Sequence, residues 1–250
     1  MASASSGTIP DYNSIAGFYQ THWCGHYHPG LIAMLQRLVT SHLRSRARIL
    51  DVCCGTGTVA RHLVAQGFRI TGVDASEEML HHAREQVTNA EFIIADARNF
   101  SVACVFDAAI CTFDSLSYML SREDVLSTFA NIHAALRPGG VFAFDLSLEE
   151  TYRREWQRTC SIIKEDEACF IRGSYDETAR LGRTLITRFH RNGTWERADV
   201  EFVVRCHDLT EICSGLSQSG FAKVVCHTSD DDERLRSEIG AGRACVVASK

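Results

Sequence analysis

The sequence predicts an α/β fold, a doubly wound parallel sheet interrupted by an inserted antiparallel β cap. Three observations carry this. Between residues 48 and 146, short apolar runs alternate with stretches of helical periodicity, as strand–helix–strand units require. At residues 48–60 the chain reads R-I-L-D-V-C-C-G-T-G-T-V-A, so a strand enters a Gly-rich turn and a helix follows, and Asp74 closes the next apolar run. Between residues 161 and 206 the helical period is lost, and from 198 to 206 side chains alternate strictly between two faces.

In chain order, residues 12–23 form a helix with Ile15, Phe18, Tyr19 and Trp23 on its apolar positions. Pro29 opens a second, with Leu31, Ile32, Leu35, Leu38 and Val39 along one face. The first strand is residues 48–53, and its helix runs to about Gly67, a residue suited to the position past a helix end. The second strand, 69–74, leads to a helix capped by Ser76 that buries Met79, Leu80, Ala83 and Val87. Strands at 91–95 and 105–111 follow. Ser121 and Asp124 then begin a helix with Val125, Phe129, Ile132 and Leu136 on one face, and Pro138-Gly139-Gly140 stops it before a strand at 141–146.

In the insertion, Ala198, Val200, Phe202, Val204 and Cys206 share one face of a strand, and Asn192-Gly193 signals a hairpin to residues 183–191. A two-residue loop puts Leu185, Thr187 and Phe189 on the apolar face and Arg188, His190 and Trp195 on the polar one. The α/β order resumes at 207. Asp208 and Glu211 form a capping box, Leu209, Ile212, Cys213 and Leu216 a buried stripe, and Gly220 the stop; strands near 222–227 and 244–248 end the chain.

With 45% apolar and 23% charged residues the chain has ordinary globular composition. A net charge of -5 argues against a broad phosphate-binding surface, so no nucleic-acid partner is expected. No apolar run reaches the roughly 18–20 residues of a membrane span, and residues 1–6 lack the features of a signal peptide. The expected location is cytoplasmic, with no membrane partner. The eleven cysteines, without the paired spacing of a disulfide scaffold, read as reduced small hydrophobes. His22, Cys24, His26 and His28 match no recognised ligand pattern, so no metal is expected.

The order D-x-x-x-G-x-G followed by G-V-D departs from the dinucleotide fingerprint, because Asp51 precedes the glycines. A pyrophosphate would meet that charge, whereas the ammonium or sulfonium end of S-adenosylmethionine (SAM) is compatible with it. The segments I-L-D-V-C-C-G-T-G, I-T-G-V-D-A-S-E-E-M-L, A-D-A-R, F-D-S-L-S-Y and L-R-P-G-G-V-F-A-F-D-L resemble the successive motifs of class I SAM-dependent methyltransferases. The likeness is greatest to small-molecule enzymes with F-D-S-L-[NS] after strand four and a β cap. It implies a Rossmann-like, seven-stranded methyltransferase sheet whose last strand runs antiparallel. The implied division is a SAM-binding core at 1–146 plus 207–250 and a cap at 147–206 over the acceptor site.

By the same resemblance, Asp51 sits behind the methionine moiety, Cys53, Gly55 and Gly57 wrap it, and Asp74 binds both ribose hydroxyls. Ala75 and Met79 pack on the adenine, Asp96 and Ala97 meet its edge, and Tyr12 or Tyr19 closes over the cofactor. Cys53 replaces the first glycine of the family motif. Thr112, Phe113, Asp114, Ser115 and Tyr118 follow strand four, where the transferred methyl is expected. Asp114, Tyr118 and, on the cap, His190 are the candidate catalytic residues, with Arg188 as a further acceptor contact. The implied activity is methyl transfer to an amine or hydroxyl of a small molecule; a SAM-binding regulator or scaffold that does not methylate is the other reading the motifs allow.

Overall fold

The computed structural model of the protein describes residues 11–23 and 28–250. The N-terminal helix divides into a single 3₁₀ turn, Asn13–Ile15, and α1 (Ala16–His22), and α2 is His28–Leu38. The core then alternates: β1 (Arg48–Val52), α3 (Thr58–Ala65), β2 (Arg69–Asp74), α4 (Glu77–Gln86), β3 (Glu91–Ile94), β4 (Phe106–Cys111), α5 (Arg122–Ala135) and β5 (Leu136–Ser147). After α6 (Glu149–Glu155) come four strands, β6 (Thr159–Ile163), β7 (Glu167–Asp176), β8 (Leu181–Asn192) and β9 (Thr194–Arg205). The chain closes with α7 (Leu209–Gln218), β10 (Lys223–Thr228), α8 (Glu233–Ile239) and β11 (Arg243–Ser249).

Seven strands form one sheet in the order β10-β11-β5-β4-β1-β2-β3, with β11 antiparallel to both neighbours. Strand alternation explains why both faces are apolar. Ile49, Ala108, Ile110 and Ala143 turn toward Leu31, Leu63 and Leu235 of α2, α3 and α8, while Leu50, Ala109, Phe142 and Phe144 meet Phe129 and Leu216 of α5 and α7. The strand order reverses where β1 lies beside β4, so their carboxyl ends frame the crevice where such sheets bind ligands.

Two local expectations are corrected. Pro138-Gly139-Gly140 does not separate helix from strand: β5 already begins at Leu136, which pairs with Phe106 before the register shifts. The three residues form an irregularity inside the strand, where the Gly139 N–H donates to the Lys250 carbonyl at 3.1 Å. The hairpin also differs. Asn192 pairs with Thr194 around Gly193 alone, one residue out of the two-residue-loop register. A slip of one residue exchanges the faces of β8. Ile186, Arg188 and His190 therefore align with Val200, Ala198 and Glu196, while Leu185, Thr187 and Phe189 align with Glu201, Asp199 and Arg197. Trp195 lies opposite Arg191, on the other face from His190.

The second sheet, β6-β7-β8-β9, is antiparallel throughout. Its apolar face, Cys169, Ile186, Val200 and Phe202, packs against Ile15 and Phe18 of the N-terminal segment. Among the described residues no helix is long and apolar enough to cross a membrane, and no three His, Cys, Asp or Glu side chains gather as a metal site. Cys24, His26 and the side chain of His28 lie outside the described residues.

Two cysteines lie close together near the surface. Cys213 on α7 and Cys226 on β10 place their Sγ atoms 3.0 Å apart, and Cys226 is exposed. Incubation with glutathione disulfide is expected to cross-link them and raise Tm by several degrees. Peptide mapping after alkylation checks this, and free thiols at both positions after prolonged oxidation would contradict it.

Candidate active site

At the end of β1 the chain reverses through Cys53, Gly55 and Gly57, with φ of 58°, 54° and 78°. Glycine reaches this left-handed region freely, whereas the Cβ of Cys53 makes it costly. The turn is held from the next strand. Asp74 Oδ2 accepts the Gly55 N–H at 2.8 Å, and Oδ1 accepts the Ser76 N–H at 2.9 Å. The Cys54 N–H donates to the Val73 carbonyl at 3.1 Å.

These turns form the floor of a cavity at the carboxyl ends of β1, β2, β3 and β4. Cys53, Gly55 and Thr56 line one side, and Asp74, Ala75, Ser76 and Met79 the next. Ala95, Asp96, Ala97 and Arg98 continue the wall after β3. Thr112, Phe113, Ser115, Tyr118 and Met119 from the loop after β4, with Tyr12 and Tyr19 from the N-terminal segment, complete it. The cavity thus brings together Tyr12, Tyr19, Cys53, Gly55, Asp74, Ala75, Met79, Asp96, Ala97, Thr112 and Tyr118.

Four expected residues stand elsewhere. Asp51 lies beneath the Gly-rich turn, 1% exposed, and neither carboxylate oxygen has a hydrogen-bond partner among the described residues. Gly57 caps α3, where an added Cβ would meet the Ala83 methyl at 3.0 Å. The Asp114 carboxylate turns away from the cavity to accept the Ser147 N–H at 2.8 Å and the Tyr152 hydroxyl at 3.4 Å. His190 lines a separate hollow beside α1 with Thr21, Lys164, Glu167 and Arg188. There Arg188 donates to Glu167 at 2.8 Å, and His22 meets the other oxygen of that carboxylate at 2.9 Å. The exchanged faces of β8 explain both positions.

Burial dominates the electrostatics. It pushes the Asp51 carboxyl up to about 8, with the neighbouring Asp74 adding to the shift. Asp74 is also raised by burial, against the pull of its backbone donors. For Asp96 burial acts upward too, but hydrogen bonds and charge from Arg98 outweigh it and hold the carboxyl below its usual range. The Tyr12 and Tyr118 hydroxyls hydrogen-bond at 2.5 Å. Burial raises both phenols, Tyr118 to about 12. Burial also lifts the Asp114 carboxyl to about 6, against the charge of Arg243. The hydrogen bond that the Cys111 thiol donates to Cys53, then burial, raises the Cys111 pKa well above that of a free thiol.

Sequence reasoning missed Asn13. Its Oδ1 accepts from the Ser76 hydroxyl at 2.7 Å and the Glu78 N–H at 3.2 Å, pinning the N-terminal segment to the start of α4. No local signal marks it, since its partners lie more than 60 positions away.

The Asp51 environment fixes a pH dependence. The folded carboxyl, at about 8, holds its proton more tightly than in the unfolded chain, near 4. The ligand-free protein therefore loses stability from this group as pH climbs between those values, and the loss is complete above them. Asp51→Asn removes the charge, so its Tm relative to wild type should rise from about pH 5 to about pH 9. Thermal melts across that range test this; a constant difference would contradict it.

Residues 49–140 match the family model of a methyltransferase domain. The chain is 37% identical over 208 residues to the protein YqeM of Bacillus subtilis (strain 168), named as a methyltransferase, covering 80% of this chain and 84% of that one. It is 31% identical over 170 residues to the dTDP-3-amino-3,4,6-trideoxy-alpha-D-glucopyranose N,N-dimethyltransferase of Streptomyces venezuelae, covering 67% and 65%. In fold it is similar to the crystal structure of a SAM-dependent methyltransferase from Clostridium acetobutylicum ATCC 824, with TM-score 0.76 at 21% identity, over 95% of this chain and 98% of that one. With the switch-point cavity and Asp51–Asp74 pair already described, these likenesses place the chain in the class I SAM-dependent methyltransferases, enzymes whose cofactor is S-adenosylmethionine.

Proposed function

We propose that the protein transfers the methyl group of SAM to an amine of a small molecule. The observation that carries the choice of amine is the wall formed by Tyr12, Tyr19, Thr112, Phe113, Ser115, Tyr118 and Met119, which among the described residues contains no carboxylate, imidazole or lysine. Its two hydrogen-bonded phenols are held protonated. A hydroxyl acceptor needs a base at its oxygen, whereas an amine that arrives neutral already presents its lone pair. The amino-sugar acceptor in the name of the Streptomyces venezuelae relative agrees with this choice.

The buried residues suit the cofactor. Asp51, without a partner, offers its carboxylate to the ammonium and sulfonium end. Each oxygen of Asp74 spends one lone pair on a backbone N–H and keeps another for a ribose hydroxyl. Ala75 and Met79 would flank the adenine, with Asp96 and Ala97 at its edge. When bound, SAM supplies a methyl group already activated by the positive sulfur. The chain's contribution is then alignment and exclusion of water. Tyr12 and Tyr118 close the entrance, and the second sheet supports them, Phe202 lying 4.9 Å from the Tyr12 ring and 6.3 Å from the Tyr118 ring. In this reading residues 1–146 and 207–250 hold the cofactor and residues 147–206 back the acceptor side. This reading gives His190, which lines the separate hollow, no catalytic part.

Two measurements test this. Asp74→Ala should weaken SAM binding by about 30-fold or more, since charge-assisted hydrogen bonds are lost; unchanged affinity in the folded variant would remove the ribose assignment. Labelled-methyl transfer should be followed with pairs of small molecules that differ only in an amine or a hydroxyl. Label is expected on the amine, faster as pH rises toward the amine's own pKa. Equal or greater transfer to the hydroxyl member would contradict the proposal.

A further inference from the structure

The loop after β4 contains two consecutive non-glycine residues in left-handed conformation, Phe113 and Asp114, with φ of 65° and 58°. Side-chain–bearing residues adopt this region only when their surroundings dictate it. The surroundings here are one carboxylate. Asp145, near the end of β5 and 1% exposed, accepts the Phe113 N–H through Oδ1 at 2.8 Å and the Asp114 N–H through Oδ2 at 3.2 Å. Successive N–H groups pointing to one side form an anion-binding nest, and in this loop the anion is built into the chain.

Arg243 of β11 holds the carboxylate in turn. Its Nη2 pairs with Asp145 Oδ2, and its Nη1 donates to Ser147 Oγ at 3.3 Å. Asp114 closes the circuit by accepting the Ser147 N–H at 2.8 Å. Both amides of the left-handed pair are thus anchored on β5, and β5 is braced by β11; the Tyr152 hydroxyl of α6 adds a longer contact to Asp114 at 3.4 Å. The loop's free side faces the cavity, where it presents Thr112, Phe113, Ser115 and Tyr118.

We propose that Asp145, oriented by Arg243, is a positioning residue that sets the post-β4 loop against the methyl-transfer end of the cavity. This rests on the cofactor reading above. It acts through the backbone and touches no reactant. Without the carboxylate nothing holds both amides on one side, the left-handed pair relaxes, and the wall carrying Tyr118 moves relative to Asp51 and Asp74.

A control for mere structural damage lies at the other end of β4. Asp107 is equally buried, at 2% exposure, accepts the Arg48 N–H at 2.8 Å, and pairs with Arg44 and Arg137. Its groups touch no cavity residue. The test is calorimetric binding of S-adenosylhomocysteine, with thermal melts, for wild type, Asp145→Asn, Arg243→Lys and Asp107→Asn. Asp145→Asn should bind about tenfold more weakly while remaining folded, because misplacing a wall by a fraction of an ångström degrades a fitted site. Arg243→Lys keeps the charge but loses the two-point grip, and should cost about threefold. Asp107→Asn should lower Tm yet keep affinity within about twofold, as distant sites act independently. If Asp145→Asn does not fold, Arg243→Lys against Asp107→Asn decides the matter. Unchanged affinity in the folded Asp145 or Arg243 variants would overturn the proposal, as would equal weakening by Asp107→Asn. Wild type that fails to bind would instead overturn the cofactor reading itself, and this assignment with it.

Discussion

An unpartnered carboxylate at the carboxyl end of β1 is the constraint around which the rest of the structure is organised. Asp51 is buried beneath the Gly-rich turn with a second raised carboxyl, Asp74, as its charged neighbour. Two acids so placed disfavour each other's ionisation and leave the ligand-free site short of positive charge. Folding tolerates this because the strand order reverses at that point and the surrounding elements are fixed independently. Alternating side chains bury β1, β4 and β5 on both faces, and Asp74 is held by the Gly55 and Ser76 amides. The strain is local, and it sits where a cation can relieve it.

The same division runs through the backbone. Cys53 occupies a left-handed position that a glycine would take without strain, and its thiol hydrogen-bonds Cys111 on β4. Phe113 and Asp114 are left-handed as well, and Asp145 satisfies both of their amides. Both turns border the cavity, while regular pairing carries the stability elsewhere. The N-terminal segment, tied by Asn13 to the start of α4 and by Tyr12 to Tyr118, closes the open side against the second sheet.

What could be read in the sequence follows the range of the interaction. Asp51, Gly55 and Asp74 sit in short patterns whose residue types betray their turn chemistry, and the alternation of apolar runs gave the order of the core strands. Asp145 was visible as part of a strand motif, but its partners lie 31 to 98 positions away and no local pattern couples them. β8 departs from its sequence pattern for a different reason: Asn192-Gly193 predicts two loop residues where Gly193 alone makes the turn, and that one-residue slip carries Arg188 and His190 to the inner face. β7 offered no period to read, because each of its faces mixes polar and apolar residues.

The most direct measurement is the proton balance of SAM binding. Near pH 6.5 the free Asp51 carboxyl, at about 8, is mostly protonated, and the cofactor's own ammonium already carries its proton. A cation brought against Asp51 lowers its pKa, so calorimetry in buffers of different ionisation enthalpy should show release of up to about one proton, fading above about pH 9. Asp51→Asn should abolish most of that release. Binding with no proton released at pH 6.5, or the same release in Asp51→Asn, would contradict the placement of SAM's cationic end at Asp51.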